Sequence, residues 1–457
     1  MSGVVRSLPS AGRGRGVGIV GGGLLGLRIA HRLSGHGVPV TVYEASPQLG
    51  GLAGTTNIGG FDVDRFYHAV TLSDDRVLAL ADELGLRDGM RFRPLGAGFY
   101  HDGRIASMST PRELLTFPGL RPDDRVRLVA FILRCRLMKD MARLDDEPLE
   151  GFVRRTAGGR LWERLWRPLL DSKFDGRYDD LPATYLWSRM RRVSGTRDRA
   201  GREVMGWIRG GYQELVDRLA DAIRESGGEV LTAMPVRFIP SLDGRAQGVL
   251  LDSGLRRHDW VITTQLRPNL AGMLAPELEG ALEPDRCRYM GVVCVVARVR
   301  RSVSPFYALN ITDRRIPLTS VVETTHVVDP QHVGGHLIYV PRYVRPDSPD
   351  LQRSPADLTQ EYLGHVQTMF PGFSPRDDVI ASQVARAVVA EPIHRVGVRP
   401  RHAELIPAPG LVMASSAHVY PDIVHGQAIF GVADRVVEEL TPLLAIAHRT
   451  STQRSAA

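Results

Sequence analysis

Cysteine is scarce in this sequence, and long apolar runs are absent from it. Only three cysteines, Cys135, Cys287 and Cys294, occur in 457 residues, and their spacing is not that of metal ligands. They exclude a disulfide-stapled scaffold and predict free thiols in a reducing compartment. The longest clean apolar stretch, Val292–Val299, is far shorter than the roughly 20 residues of a membrane-spanning helix. Because the first sixteen residues also lack the apolar core of a signal peptide, we expect a soluble cytoplasmic protein.

Lysine is nearly absent as well. Lysine and arginine together number 58 and give a net charge of +7, but only Lys139 and Lys173 are lysines. Such a preference for arginine usually reflects the nucleotide composition of the genome, so the positive charge is weak evidence for a nucleic-acid partner. The sequence has no basic run with interleaved aromatic residues and no zinc-ligand pattern. We therefore predict neither nucleic-acid binding nor a metal site.

The length and composition are typical of a globular protein with more than one domain. The chain is 43% hydrophobic and 24% charged, both ordinary values. Its 457 residues correspond to two or three domains of roughly 100–200 residues each. The ends, residues 1–15 and 446–457, are predicted to be flexible tails.

A βαβ unit is predicted near the N-terminus. Val17–Val20 is a short β-branched run between glycines, which indicates a buried parallel strand. Leu24–Leu33 has helical spacing, and Val38–Tyr43 is a second strand pattern. A strand, a glycine turn, a helix and a strand within about thirty residues form a βαβ unit.

The turn of this unit carries the pattern Gly21-x-Gly23-x-x-Gly26-x-x-x-Ala30. Gly21 permits a tight turn, Gly23 lets the backbone approach a pyrophosphate, and Gly26 and Ala30 let the helix pack closely on the sheet. The start of the helix then offers unpaired amides and a partial positive charge to phosphates. Glu44 ends the second strand, where a carboxylate binds ribose hydroxyls. The sequence therefore predicts a dinucleotide site.

Further elements are predicted along the chain from periodicity and turn signals. Asp102–Gly103 supplies the positive dihedral angles of a hairpin over Phe99–Ser107. Asp285–Tyr343 is strand-rich, and the stripe of Trp162, Leu165, Trp166 and Leu169 indicates core packing. Helices are predicted over Ser73–Leu86, Pro122–Asp146, Tyr212–Ser226 and Val432–Leu440.

A second glycine pair distinguishes FAD from NAD as the expected nucleotide. The run Glu44-Ala45-x-x-x-x-Gly50-Gly51-x-x-x-Thr55 resembles the extended fingerprint of the FAD-dependent amine oxidase, protoporphyrinogen oxidase and phytoene desaturase superfamily. The resemblance continues at Gly60-Phe61-Asp62-Val63-Asp64 and at Gly210-Gly211-Tyr212-x-x-Leu215-x-x-x-Leu219. It implies that FAD is the cofactor and that the second glycine turn lies under its flavin end.

The resemblance also implies how later segments reach the cofactor. A strand over Met234–Ile239 would pass the adenine, with Val236 touching it, and Asp259–Thr264 would re-enter the FAD domain. In the segment 411–432, a strand would end near Ser415 and a helix would begin near Gly426, at the pyrimidine end of the ring. Two positions depart from the family pattern: Ser415-Ser416 replaces the usual Gly-Asp, and Gln48 and Leu52 replace arginines beside the glycine pair.

Together these patterns predict an α/β fold. A discontinuous Rossmann-like FAD-binding domain would comprise residues 16–70, 205–265 and 405–445, and an interleaved α+β substrate domain would comprise 71–204 and 266–404. The predicted cofactor-binding residues are Gly21, Gly23, Leu24, Leu25, Gly26, Glu44, Ala45, Gly50, Gly51, Leu52, Ala53, Val236, Ser415, Gly426 and Gln427.

Four residues are candidates for catalysis, each with a structural alternative. His68 would act as an acid or base or bind the flavin ring, or it is a hydrogen-bonded structural histidine. Lys173 is one of two lysines, and flavin oxidases of the superfamily place a lysine near flavin N5, but from another stretch of sequence; the alternative is an ordinary solvated side chain. Tyr420 and His425 cluster with His418 and Asp422 before the last helix, where helix capping is the alternative.

The predicted function is an FAD-dependent oxidoreductase of the oxidase or desaturase type, which removes a hydride from an activated C–H bond of a small molecule to flavin N5. The segment before the last helix also resembles UDP-galactopyranose mutase. A redox-neutral mutase that acts on a sugar nucleotide is therefore the alternative, and an FAD-bearing scaffold without turnover is a third. The basic amphipathic stretch 125–143 would pack on the core or contact an anionic membrane.

Overall fold

The computed structural model describes residues 16–107, 110, 113, 116–117, 119–138, 142–199, 202–397 and 404–455. The N-terminal stretch predicted to be a flexible tail, residues 1–15, lies outside the described residues. The last helix runs over Gly426–Ser455, so residues 446–455, also predicted to be a flexible tail, are helical.

A five-stranded parallel sheet organises the nucleotide-binding part of the chain. The predicted βαβ unit is confirmed, since a strand at Val17–Val20 is followed by a helix at Leu24–Gly35 and a strand at Val40–Tyr43. Later segments complete the sheet on both sides of this unit. The strand order is Glu229–Leu231, Val40–Tyr43, Val17–Val20, Trp260–Thr263 and Leu411–Met413. All four strand pairs are parallel, so their carboxyl ends meet at one edge.

A second, seven-stranded sheet is mixed. Only the pair Ala97–His101 and Ala308–Ile311 is parallel in it, and the other pairs are antiparallel. Its strand order is Val379–Ile393, Arg288–Val299, His336–Val344, Ser320–Glu323, Ala308–Ile311, Ala97–His101 and Arg104–Ser107. The predicted hairpin is confirmed at its edge, with Asp102 and Gly103 at φ values of +48° and +73°.

Four smaller sheets accompany these two. One has three strands, at Val70–Thr71, Val204–Ile208 and Met90–Pro94. The two-stranded sheets pair Thr55–Ile58 with Phe61–Asp64, Ser241–Leu242 with Arg245–Ala246, and Gly248–Leu251 with Gly254–Arg257.

The longer helices share hydrophobic cores with the two large sheets or with one another. They are Leu24–Gly35, Asp75–Glu83, Pro122–Leu137, Leu149–Thr156, Arg167–Phe174, Thr184–Gly195, Tyr212–Glu225, Pro355–Met369 and Gly426–Ser455. Shorter helical segments are Ala142–Asp145, Gly159–Leu161, Pro276–Gly280, Pro330–Val333 and Pro375–Asp378, with a π-helical turn at Trp162–Trp166. Single 3-10 turns lie at Gly51–Ala53, Arg87–Gly89, Arg267–Leu270, Thr324–His326, Pro349–Leu351 and Ser416–Val419.

The predicted strand over Met234–Ile239 is wrong. Ala233 turns the chain with a φ of +52°. The backbone amide of Met234 then donates to the Glu44 carbonyl, whereas that of Arg237 donates to the Leu250 carbonyl. These bonds go to different neighbours, so no strand ladder forms and only isolated bridges remain at Phe238 and Ile239.

The helix over Pro122–Leu137 packs on the core with one apolar face, as one of the two predictions for the stretch 125–143 requires. Leu128, Phe131 and Cys135 are buried there among the tryptophans of the predicted stripe. The opposite face leaves Val126, Leu133 and Leu137 exposed. Contact of the stretch 125–143 with a membrane stays a prediction. Among the described residues, the helices are too short or too polar to cross a bilayer.

The first helix packs so closely on the glycine turn that it excludes a side chain at Gly26. A Cβ atom there would lie 2.0 Å from the Gly21 carbonyl oxygen, which is backbone and cannot move aside. We expect Gly26→Ala to lower the free energy of unfolding by about 1–3 kcal/mol through overpacking, measured by denaturant titration of the cofactor-free protein. The matched control is Gly35→Ala in the same helix, where nothing lies within 4 Å. Equal stability of the two variants would contradict the packing described here.

Candidate functional site

The first glycine turn presents backbone, not side chains, at the carboxyl edge of the parallel sheet. Gly21 has a φ of +113°, and a Cβ atom there would lie 2.3 Å from the Thr264 side-chain oxygen. Gly23 precedes the first helix in an extended conformation and offers no side-chain cap to it. A Cβ atom on Gly23 would meet only the Gly50 carbonyl oxygen, at 3.9 Å. The helix start is therefore open to a ligand, as a phosphate site requires.

The second glycine turn packs directly against the first. The Gly50 amide donates to the Gly22 carbonyl over 2.9 Å. Gly50 and Gly51 have φ values of +107° and +57°, and a Cβ atom on Gly51 would lie 3.5 Å from the Gly23 Cα atom. The two turns thus form one cradle that is lined by backbone atoms, and side chains at these glycine positions would fill it. We name it the glycine cradle.

Glu44, which is predicted from the sequence to bind the ribose hydroxyls, lies beside this cradle. Its carboxylate accepts hydrogen bonds from the backbone amides of Gly22, over 2.7 Å, and Ser46, over 2.8 Å. The chain passes Glu44 again at Met234, and Val236 is buried with Val20 and Tyr43. The segment that contains Val236 therefore does approach Glu44, although it is not a strand.

The other predicted cofactor ligands differ in exposure. Leu25 and Ala53 are buried in the core of the parallel sheet, Leu24 is half-buried, and Ala45 and Leu52 are exposed. Ser415 is buried, and its hydroxyl caps the turn at residues 416–419.

The predicted flavin end brings together His68, Tyr212 and the start of the last helix. The rings of His68 and Tyr212 have centroids 5.0 Å apart, and a Cβ atom on Gly426 would lie 3.2 Å from the Tyr212 hydroxyl. The neighbouring Gln427 accepts a hydrogen bond from the Arg76 amide over 2.7 Å with its side chain. Residues distant in sequence therefore meet where the resemblance places the flavin ring.

His68 is neutral and incompletely bonded. Burial lowers its pKa to about 4, so the imidazole is uncharged at neutral pH. Its buried Nδ1 atom has no hydrogen-bond partner among the described residues. Such an atom costs free energy unless a ligand pairs with it. The open glycine cradle, the Glu44 carboxylate and this nitrogen fit an FAD molecule laid along the sheet edge.

Lys173 lies in a hollow on the substrate side, with residues that the sequence reasoning missed. Its ammonium group donates to the Glu391 carboxylate and sits 3.3 Å from the centroid of the Tyr343 ring. Burial raises the pKa of Tyr67, Tyr185 and Tyr343 above the usual range. Yet these three rings keep part of their surface accessible, which indicates that they line an interior space. We name this the inner hollow, lined by Tyr67, Lys173, Tyr185, Arg189, Tyr343 and Glu391.

Tyr67 connects the inner hollow with the predicted flavin end. It precedes His68 in sequence, and a hydrogen bond with Tyr343 contributes to its pKa. Only Lys173 of the hollow was expected from sequence, because it is one of two lysines. Tyr185 and Arg189 are four residues apart, the spacing that places two side chains on one helical face, and this was the available signal for them.

His425 is held by protein groups at both ring nitrogens. Arg192 donates to its Nδ1 atom over 2.9 Å, and Nε2 lies 3.4 Å from an Asp422 carboxylate oxygen. Arg192 in turn binds the buried Asp74 over 2.8 Å. The catalytic role predicted for His425 stays a prediction, but this geometry makes the histidine part of a network that positions the start of the last helix.

Tyr420 is also tied into the protein. Its hydroxyl donates to the buried Asp145 carboxylate, and its ring centroid lies 4.5 Å from that of His394. His418 accepts a hydrogen bond from the Ser415 amide over 3.0 Å. The predicted catalytic role of Tyr420 stays untested, and its contacts are those of a residue that anchors the loop before the last helix.

A cavity of about 330 Å³ lies beyond the ends of the strands Trp260–Thr263 and Leu411–Met413. It is lined by Gln265, Tyr289, His394 and Ser415, among others. Ligands of open α/β sheets bind outside the carboxyl ends of their strands. In the part of the chain that the structure describes, no group of three metal-ligating side chains comes together.

Comparison with known proteins agrees with this geometry. The family model described as flavin containing amine oxidoreductase matches residues 26–433. The chain is 27% identical over 216 residues to mitochondrial protoporphyrinogen oxidase of Nicotiana tabacum, which covers 44% of this chain and 41% of that protein. It is 30% identical over 233 residues to coproporphyrinogen III oxidase of Mycobacterium leprae (strain TN), which covers 44% and 49%. The chain thus spans less than half the length of these curated relatives.

Solved structures share the fold over almost the whole chain. A triple mutant of putrescine oxidase superposes with a TM-score of 0.72 at 16% identity, covering 94% of this chain and 99% of that one. Reduced UDP-galactopyranose mutase superposes with a TM-score of 0.68 at 15% identity, covering 93% and 95%. These structures confirm the predicted α/β fold, and the family model confirms that the predicted cofactor is a flavin. The chain therefore belongs to the flavin-containing amine oxidoreductase family.

Proposed function

We propose that this protein holds FAD along the edge of its parallel sheet and removes a hydride from an activated C–H bond of a small molecule in the inner hollow. The carrying observation is that Tyr67, which lines the hollow with Lys173 and Tyr343, directly precedes His68, whose ring contacts that of Tyr212. Bound FAD would supply the two-electron acceptor, and the protein supplies binding, orientation and electrostatics. Reoxidation by oxygen or another acceptor completes the proposed cycle.

Each part of the site has a stated task in this proposal. The glycine cradle and the helix start would bind the pyrophosphate, and Glu44 would bind the ribose hydroxyls. The neutral His68 would pair its free Nδ1 atom with the ring. The inner hollow would hold the substrate away from bulk water. There Glu391 fixes the Lys173 ammonium group, which keeps a positive charge beside the Tyr343 ring.

The compartment belongs to the same proposal. We propose that the protein is cytoplasmic, because its three cysteines all lie in the described part of the chain and form no disulfide.

Porphyrinogens and amines are the first substrates to test. The two curated relatives are oxidases of porphyrinogens, and putrescine, after which the structural neighbour is named, is an amine. An anaerobic screen that follows the flavin absorbance distinguishes the oxidoreductase from a mutase of the UDP-galactopyranose mutase type. A substrate of the oxidoreductase bleaches the flavin without added reductant. Turnover of a sugar nucleotide only after prior reduction, with no net electron transfer, would favour the mutase.

We expect Gly23→Ala to weaken FAD binding without unfolding the protein. The added methyl group would lie 3.9 Å from the nearest protein atom, the Gly50 carbonyl oxygen, but would point into the space proposed for the pyrophosphate. The affinity for FAD should fall at least tenfold, measured by titration of the cofactor-free protein, while the unfolding free energy changes by less than about 1 kcal/mol. Gly35→Ala should bind FAD like the wild type. Wild-type affinity in Gly23→Ala would remove the cradle as the pyrophosphate site.

Replacement of Lys173 by methionine should slow flavin reduction and spare the cofactor. The variant removes the cation beside Tyr343 and leaves the Glu391 carboxylate without its partner. With any substrate that reduces the wild type, we expect the anaerobic rate constant of reduction to fall by roughly 100-fold or more, the scale of a lost catalytic group.

The matched control for this experiment is Arg177→Met, which removes an exposed cation four residues away and should leave the rate unchanged. Stopped-flow absorbance measures the rate, and the flavin-to-protein absorbance ratio reports the cofactor. If Lys173→Met reduces its flavin as fast as the wild type, Lys173 has no part in the reaction.

A further inference from the structure

The inner hollow contains two cations, Lys173 and Arg189, and one carboxylate, that of Glu391. Arg189 lies on the helix Thr184–Gly195, one turn after Tyr185, and its side chain is exposed. Among the described residues, no carboxylate lies within ion-pair distance of its guanidinium group. Tyr185 is the main cause of the raised pKa of Arg189, and the Glu391 carboxylate, which is paired with Lys173, is a smaller one. The guanidinium group thus faces aromatic rings and the accessible space between them.

The other charges around the hollow are balanced. Lys173 is paired with Glu391, and Arg192, one turn beyond Arg189, is paired with Asp74. Glu203 is the remaining nearby acid; burial raises its pKa, whereas Arg197 and, to a smaller extent, Arg189 lower it. The imidazole of His68 is neutral as well, because burial lowers its pKa.

The helix geometry places Arg189 between two ends of the site. Tyr185 packs against Phe174, with ring centroids 5.1 Å apart, next to Lys173. Arg192 binds His425 at the start of the last helix. Residues at spacings of three and four share one helical face, so Arg189 lies midway between the Lys173 pair and the predicted flavin end. Any molecule in the inner hollow is within its reach.

We infer that Arg189 binds an anionic group of the substrate, a carboxylate in the first instance, and that this protein selects an anion over an amine. A guanidinium group binds a carboxylate through two parallel hydrogen bonds. Because Glu391 is already paired with Lys173, the hollow keeps one positive charge in excess, and this charge repels an ammonium group. The inference rests on the proposed function, since it takes the inner hollow as the substrate site.

The test compares two small aromatic probes of opposite charge, benzoate and benzylamine, at neutral pH. Calorimetric titration of the protein as purified measures their affinities without any need for turnover. We expect benzoate to bind at least tenfold more tightly than benzylamine. Arg189→Gln should lower the affinity for benzoate at least tenfold and leave the FAD content unchanged. Arg189→Lys should keep most of the affinity because it keeps the positive charge.

The matched control is Arg191→Gln on the same helix. Its guanidinium group lies 4.7 Å from the centroid of the Trp187 ring, and it lines a groove to which none of the six residues of the inner hollow contributes, so benzoate affinity should not change. Circular dichroism and thermal unfolding check that each variant folds.

Three outcomes would overturn the inference: equal benzoate affinity in the wild type and Arg189→Gln, tighter binding of benzylamine, or no binding of benzoate up to tens of millimolar. Loss of FAD in Arg189→Gln would also overturn it, because the arginine would then belong to the cofactor site. A failure of the proposed function looks different, since it shows as folded protein that takes up no flavin, whereas the probe affinities still report on Arg189.

Discussion

The close approach of two glycine turns is the constraint on which the rest of this structure depends. The Gly50 amide donates a hydrogen bond to the Gly22 carbonyl, and a Cβ atom on Gly51 would lie only 3.5 Å from the Gly23 Cα atom. This contact leaves a cradle at the carboxyl edge of the parallel sheet, beside the Glu44 carboxylate. The strands of this sheet come from separate parts of the chain. We propose that a nucleotide bound in the cradle extends toward the start of the last helix.

The substrate side is built on a different principle, the enclosure of charge among tyrosine rings. The helix Thr184–Gly195 carries side chains from the Lys173–Glu391 pair to the Arg192–Asp74 pair. In an environment of low dielectric constant, the loss of one partner of an ion pair costs much free energy. A charge without an ion-pair partner there favours a ligand of opposite charge. We therefore expect the charges of the inner hollow to determine which substrate binds, whereas the glycine cradle determines which cofactor binds.

The nucleotide-binding half could be predicted from sequence because its geometry is local. Gly21, Gly23, Gly26 and Glu44 fall within one βαβ unit, so their spacing alone fixes their arrangement. The inner hollow could not be predicted, because Lys173, Arg189 and Glu391 meet only through packing between distant elements. The predicted strand through Val236 failed for a related reason, since its amides bond to separate neighbours that the sequence does not reveal. For Tyr420 and His425, the sequence left catalysis and helix capping open, and it did not reveal the contacts with Asp145, Arg192 and Asp422.

Identification of the chromophore that the native protein carries tests the central claim most directly. Heat release from freshly purified protein, followed by mass spectrometry and absorbance, gives its identity and its amount per chain. The account predicts FAD, close to one molecule per chain, released only on unfolding. Folded protein that releases no flavin and takes up none from added FAD, or that releases NAD in its place, would contradict it.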